Sequence, residues 1–179
     1  MERRVLVPSG FETEVSNNTV TITHNGKKES KSFRARVIDI SKEGNEIVIK
    51  GKNQKRKTTA IVNTTKKCIE NIIQGLKYGY EAKMRIVHVH FPTNVQISGR
   101  EIIINNFLGE KKPRKAKIVG DNTTVELKGK EIIIKGNNKE HVGQTAANIE
   151  KATKVTKKDL RIFQDSIYLV EKARLLKSE

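Results

Sequence analysis

Histidines 88 and 90 are the first residues whose types and spacing suggest chemistry. Met84, Ile86, His88 and His90 alternate with Lys83, Arg85, Val87 and Val89, which is the period of a β-strand. The pattern sets the two imidazoles on one strand face, where a pair can ligate a transition metal. A zinc site needs two further ligands, and no cysteine pair or acidic cluster accompanies them. The pair therefore reads as an interface or RNA-facing feature, and neither a metal nor a cofactor is expected. His24 and His141 stand alone in turn-like contexts. Cys68 lies in the apolar stripe of a helix and reads as a buried core residue. There is no Gly-x-Ser-x-Gly elbow, no P-loop and no dinucleotide fingerprint. Gly120, Gly129, Gly136 and Gly143 read as turn glycines. No catalytic residue is assigned, and the chain is not read as an enzyme.

The chemistry that remains is charge. Lys111, Lys112, Arg114, Lys115 and Lys117 fall within seven residues, in a segment that Gly109 and Pro113 mark as a loop. A second run, Lys52, Lys55, Arg56 and Lys57, precedes a helix. The net charge is +16, with 18 basic residues in 1–91 and 18 in 92–179 against 9 and 11 acidic ones. Both halves are basic, and a sequence pI near 10.0 on a folded chain points to a polyanion, most often nucleic acid. Each lysine or arginine that meets a phosphate releases counterions, so binding is expected to weaken with salt. One cysteine excludes an intramolecular disulfide and suits a reducing compartment. No stretch approaches the roughly 18 apolar residues of a membrane span, and no signal-peptide pattern is read at the N-terminus.

The elements that carry these charges are written twice. Glu46-Ile47-Val48-Ile49-Lys50-Gly51 returns as Glu131-Ile132-Ile133-Ile134-Lys135-Gly136. Each copy reads as a short strand buried on both faces, with glycine turning the chain out of it. A segment of helical period follows each: Ile61, Thr65, Cys68, Ile72 and Leu76 in the first half, Val142, Ala146, Ile149 and Ala152 in the second. Such a repeat indicates duplication. The predicted fold is α+β, with two tandem similar domains, each a small mainly antiparallel sheet packed against one main helix. The domains are expected at 1–91 and 92–179, with the boundary in Phe91–Asn94.

Local patterns add detail. Val15 to Thr23 alternates about Asn17-Asn18 as a hairpin, and Phe33 to Ile40 reads as a half-buried strand with its arginines facing out. Asn137 and Glu140 resemble a capping box for the second helix. Thr156 and Asp159 suggest another cap, ahead of a short helix over 158–163. That would place Lys157 and Lys158 at a helix N-terminus, where N–H groups favour phosphate, with Arg161 one turn on. Ser166 to Lys172 reads as a closing strand equivalent to Ala82–Phe91, with Lys172 and Arg174 extending the basic patch.

Three stretches go beyond physical reading. Gln144-Thr145-Ala146-Ala147-Asn148-Ile149 followed by residues 158–168 resembles a signature of the universal large-subunit ribosomal protein family L-six. Gly79 to Arg85 with His90 to Val95, and Asn106 to Lys111, resemble its eukaryotic and archaeal branch, the eukaryotic members being named L-nine. The resemblance runs from about Val15 to Lys172. Ser166 departs from the glycine usual in the signature.

The resemblance implies a non-catalytic structural protein of the large ribosomal subunit. It implies contact with ribosomal RNA near the stalk base and the sarcin–ricin region, and ribosomal proteins of the stalk base as neighbours. The second domain is expected to hold the main RNA contact. Neither a membrane nor a small-molecule substrate is a predicted partner. The location is cytoplasmic, with nuclear or nucleolar assembly if the source is eukaryotic. Two other classes compete: an RNA-binding or chaperone-like module outside the ribosome, and an RNA-modifying enzyme with an unrecognised site.

Overall fold

The computed structural model describes residues 2–176. The chain divides into two compact units, Met1–Lys77 and Tyr78–Glu179. Each follows one plan. In the first, β1 (Glu2–Leu6) precedes a three-stranded meander, β2 (Glu12–Ser16), β3 (Thr19–His24) and β4 (Lys27–Ser32). A hairpin of β5 (Ile38–Glu43) and β6 (Glu46–Gly51) leads into α1 (Arg56–Tyr78). In the second, β7 (Tyr80–Val87) precedes the meander β8 (Asn94–Ser98), β9 (Glu101–Asn105) and β10 (Arg114–Lys117). The hairpin of β11 (Thr124–Lys128) and β12 (Glu131–Gly136) then leads into α2 (Lys139–Ala152), and β13 (Ser166–Leu175) closes the unit.

All strand pairs are antiparallel. Each unit holds two small sheets, ordered β1-β6-β5 and β2-β3-β4 in the first, β10-β9-β8 and β11-β12-β7-β13 in the second. The fold is the duplicated α+β arrangement expected, with its phase moved by one strand. Tyr80–Val87 pairs with both β12 and β13, so it opens the second unit instead of closing the first. The contact boundary accordingly falls after Lys77, ahead of the expected Phe91–Asn94. Glu2–Leu6 is the matching first strand of the repeat.

Each unit has its own aliphatic core. The first gathers Val20, Ile22, Ile38, Ile47 and Ile49 from the strands with Val62, Ile69 and Leu76 from α1. The second gathers Ala82, Met84, Ile102, Ile104, Ile132 and Ile134 with Val142, Ala146 and Ile149 from α2. In both repeat strands the three central residues are buried, as three β-branched residues in succession require. The glycine that ends each strand serves packing. A Cβ on Gly51 would stand 2.8 Å from Thr58 Cγ2, and one on Gly136 3.0 Å from Val142 Cγ2. Only a residue without a side chain lets the helix cross so close.

Turn chemistry fixes the registers. Asn17 and Asn18 adopt φ of 46° and 59°, and Asn25 and Gly26 adopt 50° and 74°, as tight two-residue hairpin loops demand. Asn18 is also buried, and its Nδ2 donates to the Ile38 carbonyl at 2.5 Å while its Oδ1 accepts from Ile40 N at 3.3 Å. This bridge from the meander to β5 leaves residues 33–37 as a turn, so the strand expected from Phe33 begins only at Ile38. Asn138, one residue after the expected cap, accepts from Glu140 N at 2.9 Å and starts α2. Cys68 is half-buried, not enclosed in the core.

Candidate nucleic-acid interface

The densest basic run is part loop and part strand. Lys111 and Lys112 are exposed on the loop beside Pro113, whereas Arg114, Lys115 and Lys117 belong to β10. Strand alternation buries Ala116 and turns Lys115 and Lys117 outward. Lys115 Nζ lies 3.1 Å from Glu101 on the neighbouring strand. Lys115 and Lys117 thus stand on a strand, not on the loop that Gly109 and Pro113 suggested.

Arg114 has a different occupation. Its Nε and Nη2 donate to the two Glu110 carboxylate oxygens at 2.8 and 2.6 Å. Its Nη1 donates to the carbonyls of Ala152 and Lys154 at 2.9 and 3.2 Å. The guanidinium also lies 4.4 Å from the centre of the Phe107 ring. Arg114 therefore caps the carbonyl end of α2, where a cation also meets the helix dipole. Its hydrogen bond holds the Glu110 carboxyl below the usual value. Four of its five N–H groups are so engaged, which leaves one for an outside acceptor.

The short helix expected over 158–163 is a turn, closed by Phe163 N donating to the Asp159 carbonyl at 2.8 Å. No helix N-terminus stands at Lys157 and Lys158. Lys157 instead adopts φ of 60°, and Lys158 Nζ sits 4.2 Å from the centre of the Phe163 ring. Arg161 is highly exposed and pairs with Asp159 at 2.9 Å. Lys172 and Arg174 lie within β13, not after it, and Arg174 reaches Glu171 at 2.7 Å. In the first unit Lys52 pairs with Asp39 at 3.2 Å, Lys55 lies on the loop before α1, and Arg56 and Lys57 begin the helix. All four are exposed.

The histidines do not act as a pair. β7 ends at Val87, so His88 and His90 follow the strand. His90 Nδ1 meets Asp165 Oδ2 at 2.8 Å, and its ring stacks on Phe163 with centroids 4.6 Å apart. Among the described residues, no group of three or more His, Cys, Asp or Glu side chains is placed to hold a metal ion.

The structure also adds residues. Arg114 brings the end of α2 to the basic segment, and a shallow groove between β10 and α2 is lined by Lys115, Lys117, Asn148 and Lys151. Lys151 and Lys154 join the cluster for this reason. The helical period at 139–152 carried that signal only to a reader who knew which strand α2 crosses. The signature-like stretches are mostly internal braces. Asn148 Nδ2 donates to the Lys117 carbonyl at 2.9 Å, and Thr145 Oγ1 accepts from Val119 N at 3.0 Å. Thr153 Oγ1 accepts from Ile167 N at 3.2 Å, and the Ser166 hydroxyl donates to the Thr153 carbonyl at 3.1 Å. Ser166 thus takes up the position usual for glycine with its side chain bonded inward.

A duplicated α+β chain with cations displayed on a braced strand and around a helix end belongs to the class of basic binding proteins. The comparisons narrow it. The family described as Ribosomal protein L6 has a model matching residues 91–166. The chain is 42% identical to large ribosomal subunit protein uL6 of Methanobrevibacter smithii, over 96% of each chain. It is 45% identical to the uL6 protein of Methanosphaera stadtmanae, over 86% of this chain and 88% of that one. It is 42% identical to that of Thermoplasma acidophilum, over 95% of each. The chain belongs to the uL6 family of large ribosomal subunit proteins.

Proposed function

We propose that the chain is a structural, non-catalytic constituent of the large ribosomal subunit that binds large-subunit ribosomal RNA and neighbouring ribosomal proteins in the cytoplasm. The carrying observation is the match of nearly the whole chain to proteins of that name. These relatives are archaeal, so the nuclear assembly expected of a eukaryotic member finds no support.

The finer reading sets the second unit against RNA at the stalk base near the sarcin–ricin region. Lys111, Lys112, Lys115, Lys117, Lys151 and Lys154 form its centre, with Lys157, Lys158, Arg161, Lys172 and Arg174 around it. Lys52, Lys55, Arg56 and Lys57 make a secondary contact. The support is geometric: β10 carries Lys115 and Lys117, and α2 carries Lys151, along one groove, which lowers the ordering cost of binding. The test is to express a tagged chain, isolate large subunits through a high-salt wash, and map its ultraviolet cross-links on the RNA. Retention with cross-links from the second unit to the stalk-base and sarcin–ricin helices is expected. Loss in the wash favours a module outside the ribosome, and cross-links elsewhere on the RNA refute the placement.

A further inference from the structure

The two repeats differ at one sheet edge. Glu46–Gly51 and Glu131–Gly136 correspond residue for residue, so the strands paired with them correspond as well. Lys50 faces Glu2 and Lys135 faces Glu81; Val48 faces Arg4 and Ile133 faces Lys83; Ile47 faces Val5 and Ile132 faces Met84. β1 is therefore the counterpart of β7. In the second unit β7 is an inner strand with β13 along its far side, whereas among the described residues β1 ends its sheet.

We propose that the far edge of β1 docks an extended segment of a partner protein, which adds antiparallel as a fourth strand in the place that β13 takes beside β7. The second unit serves as the template for the recognition. There Lys83 meets Glu171 of β13 at 3.3 Å. Its counterpart Arg4 sets a cation at the same register, 58% exposed and lying between Glu2 at 3.1 Å and Glu46 at 3.4 Å. Met84 faces Leu169 across the β7–β13 pair, and Val5 fills that position in β1.

Leu6 is the telling difference. It stands where the second unit has Arg85, and it is 69% exposed on an edge strand. Edges are ordinarily kept from pairing by charge, and here an apolar side chain lies open at the end of one. The partner segment therefore carries an apolar residue opposite Val5, a carboxylate opposite Arg4, and an apolar or aromatic residue opposite Leu6, as Tyr168 is opposite Arg85.

A protein strand suits this edge better than RNA. The edge presents N–H and C=O groups in alternation, and phosphates accept hydrogen bonds without donating any. A second copy suits it poorly, because the fully overlapped antiparallel register sets Arg4 against Arg4.

The test uses the full chain, isotope-labelled, and a ten-residue peptide copying Ser166–Leu175 as the probe. Peptide in excess is expected to slow amide exchange at Glu2–Leu6 by tenfold or more. Replacing the peptide's glutamate by lysine should weaken binding roughly threefold, the scale of an edge ion pair. The Arg4→Glu chain should reverse that order of preference, and unchanged core resonances will show that it is folded. The inference fails if protection falls only on β7, if β1 is unprotected up to the peptide's solubility limit, or if the charge swap leaves the order unchanged. Concentration-dependent shifts at β1 without peptide would refute it in favour of self-association.

Discussion

Asp165 is fully buried and holds His90 by two contacts and the neighbouring Val89 by a third. Its Oδ2 meets the imidazole Nδ1 at 2.8 Å, and its Oδ1 accepts from the backbone N–H groups of Val89 and His90 at 2.8 and 3.1 Å. The segment after β7 is thereby tied to the segment before β13. Burial alone would push the Asp165 carboxyl up, but the hydrogen bonds from His90 and Val89 outweigh it and hold the group down to about 2.

That depression has a signed consequence for stability. A carboxyl whose folded value lies below its ordinary 3.8 stabilises the fold fully above pH 4 and loses that contribution as pH falls towards 2. Asp165→Asn should cost about 2 kcal/mol at pH 7, the scale of a charged hydrogen bond lost in a buried site. Urea unfolding from pH 6 to pH 2 checks both points. The wild-type chain should lose its advantage over the variant below pH 4, and a constant gap would refute the assignment.

Arg114 is expected to behave as a structural residue. Arg114→Ala removes four hydrogen bonds and a ring contact, one of the bonds to the last residue of α2 and one to Lys154 just beyond it. A loss of about 1 to 2 kcal/mol is expected, chiefly from the part-buried bond to the Ala152 carbonyl, since the Glu110 pair is exposed. Arg114→Lys should recover only part, since an ammonium cannot hold a carboxylate bidentately and two carbonyls as well. Amide exchange at Lys151–Lys154 reports the freed helix end. A variant of unchanged stability that lost only RNA binding would reverse this view.

The paired glycines give a test of the duplication. Neither Gly51 nor Gly136 has positive φ, so alanine is strained only by its neighbours: Thr58 and Val62 of α1 at Gly51, and Val142 of α2 with the Asn122 carbonyl and the Thr123 hydroxyl at Gly136. Gly51→Ala should cost roughly 1 to 3 kcal/mol by overpacking, and Gly136→Ala a similar or smaller amount. Thr58→Ser deletes the Cγ2 that the new methyl would strike and keeps the hydroxyl bonded to Asn53. The double variant Gly51→Ala with Thr58→Ser should therefore be more stable than the single alanine variant, as thermal melts can show. Additive losses would mean that the close approach is not what the glycine serves.

What the sequence disclosed and what it hid separate along physical lines. Three β-branched residues between charges announced β6 and β12, and apolar period announced α1 and α2, because burial alone decides those choices. Asn17-Asn18 announced its hairpin through backbone freedom that few residues have. The strand partner of Tyr80–Val87 was not legible, since alternation marks a strand without saying which sheet receives it. For the same reason the expected boundary at Phe91–Asn94 differs from the division after Lys77, and Glu2–Leu6 gave no sign of its place in the repeat. Basic residues could be counted but not sorted. Arg114 and Lys112 look alike in sequence, and only the position of Glu110 and the end of α2 makes one a brace and the other an exposed charge. The turn at 159–163 passed for a helix because Thr156 and Asp159 imitate its caps.

The last prediction concerns where RNA is held. The units carry 16 basic and 8 acidic residues in 1–77, and 20 and 12 in 78–179, so each has the same excess of eight. Net charge therefore cannot tell the two apart, and arrangement must. In the second unit Lys111, Lys112, Lys115 and Lys117 sit on or beside one strand, with Lys151 across the groove. In the first, Lys52 is drawn to Asp39, and the other three flank the start of α1. The dipole at that helix end favours anions, which supports the first unit as a weaker contact. Neutralising Lys111, Lys112, Lys115 and Lys117 to Gln is compared with neutralising Lys52, Lys55, Arg56 and Lys57, leaving Arg114 intact so that folding is not at stake. Each set removes four charges, so a protein bound by charge number alone would lose affinity and salt slope equally in both. The expected outcome is a loss several-fold greater for the second-unit set, in binding to large-subunit RNA fragments measured across a salt series. Equal losses, or a greater loss from the first-unit set, would place the main contact elsewhere.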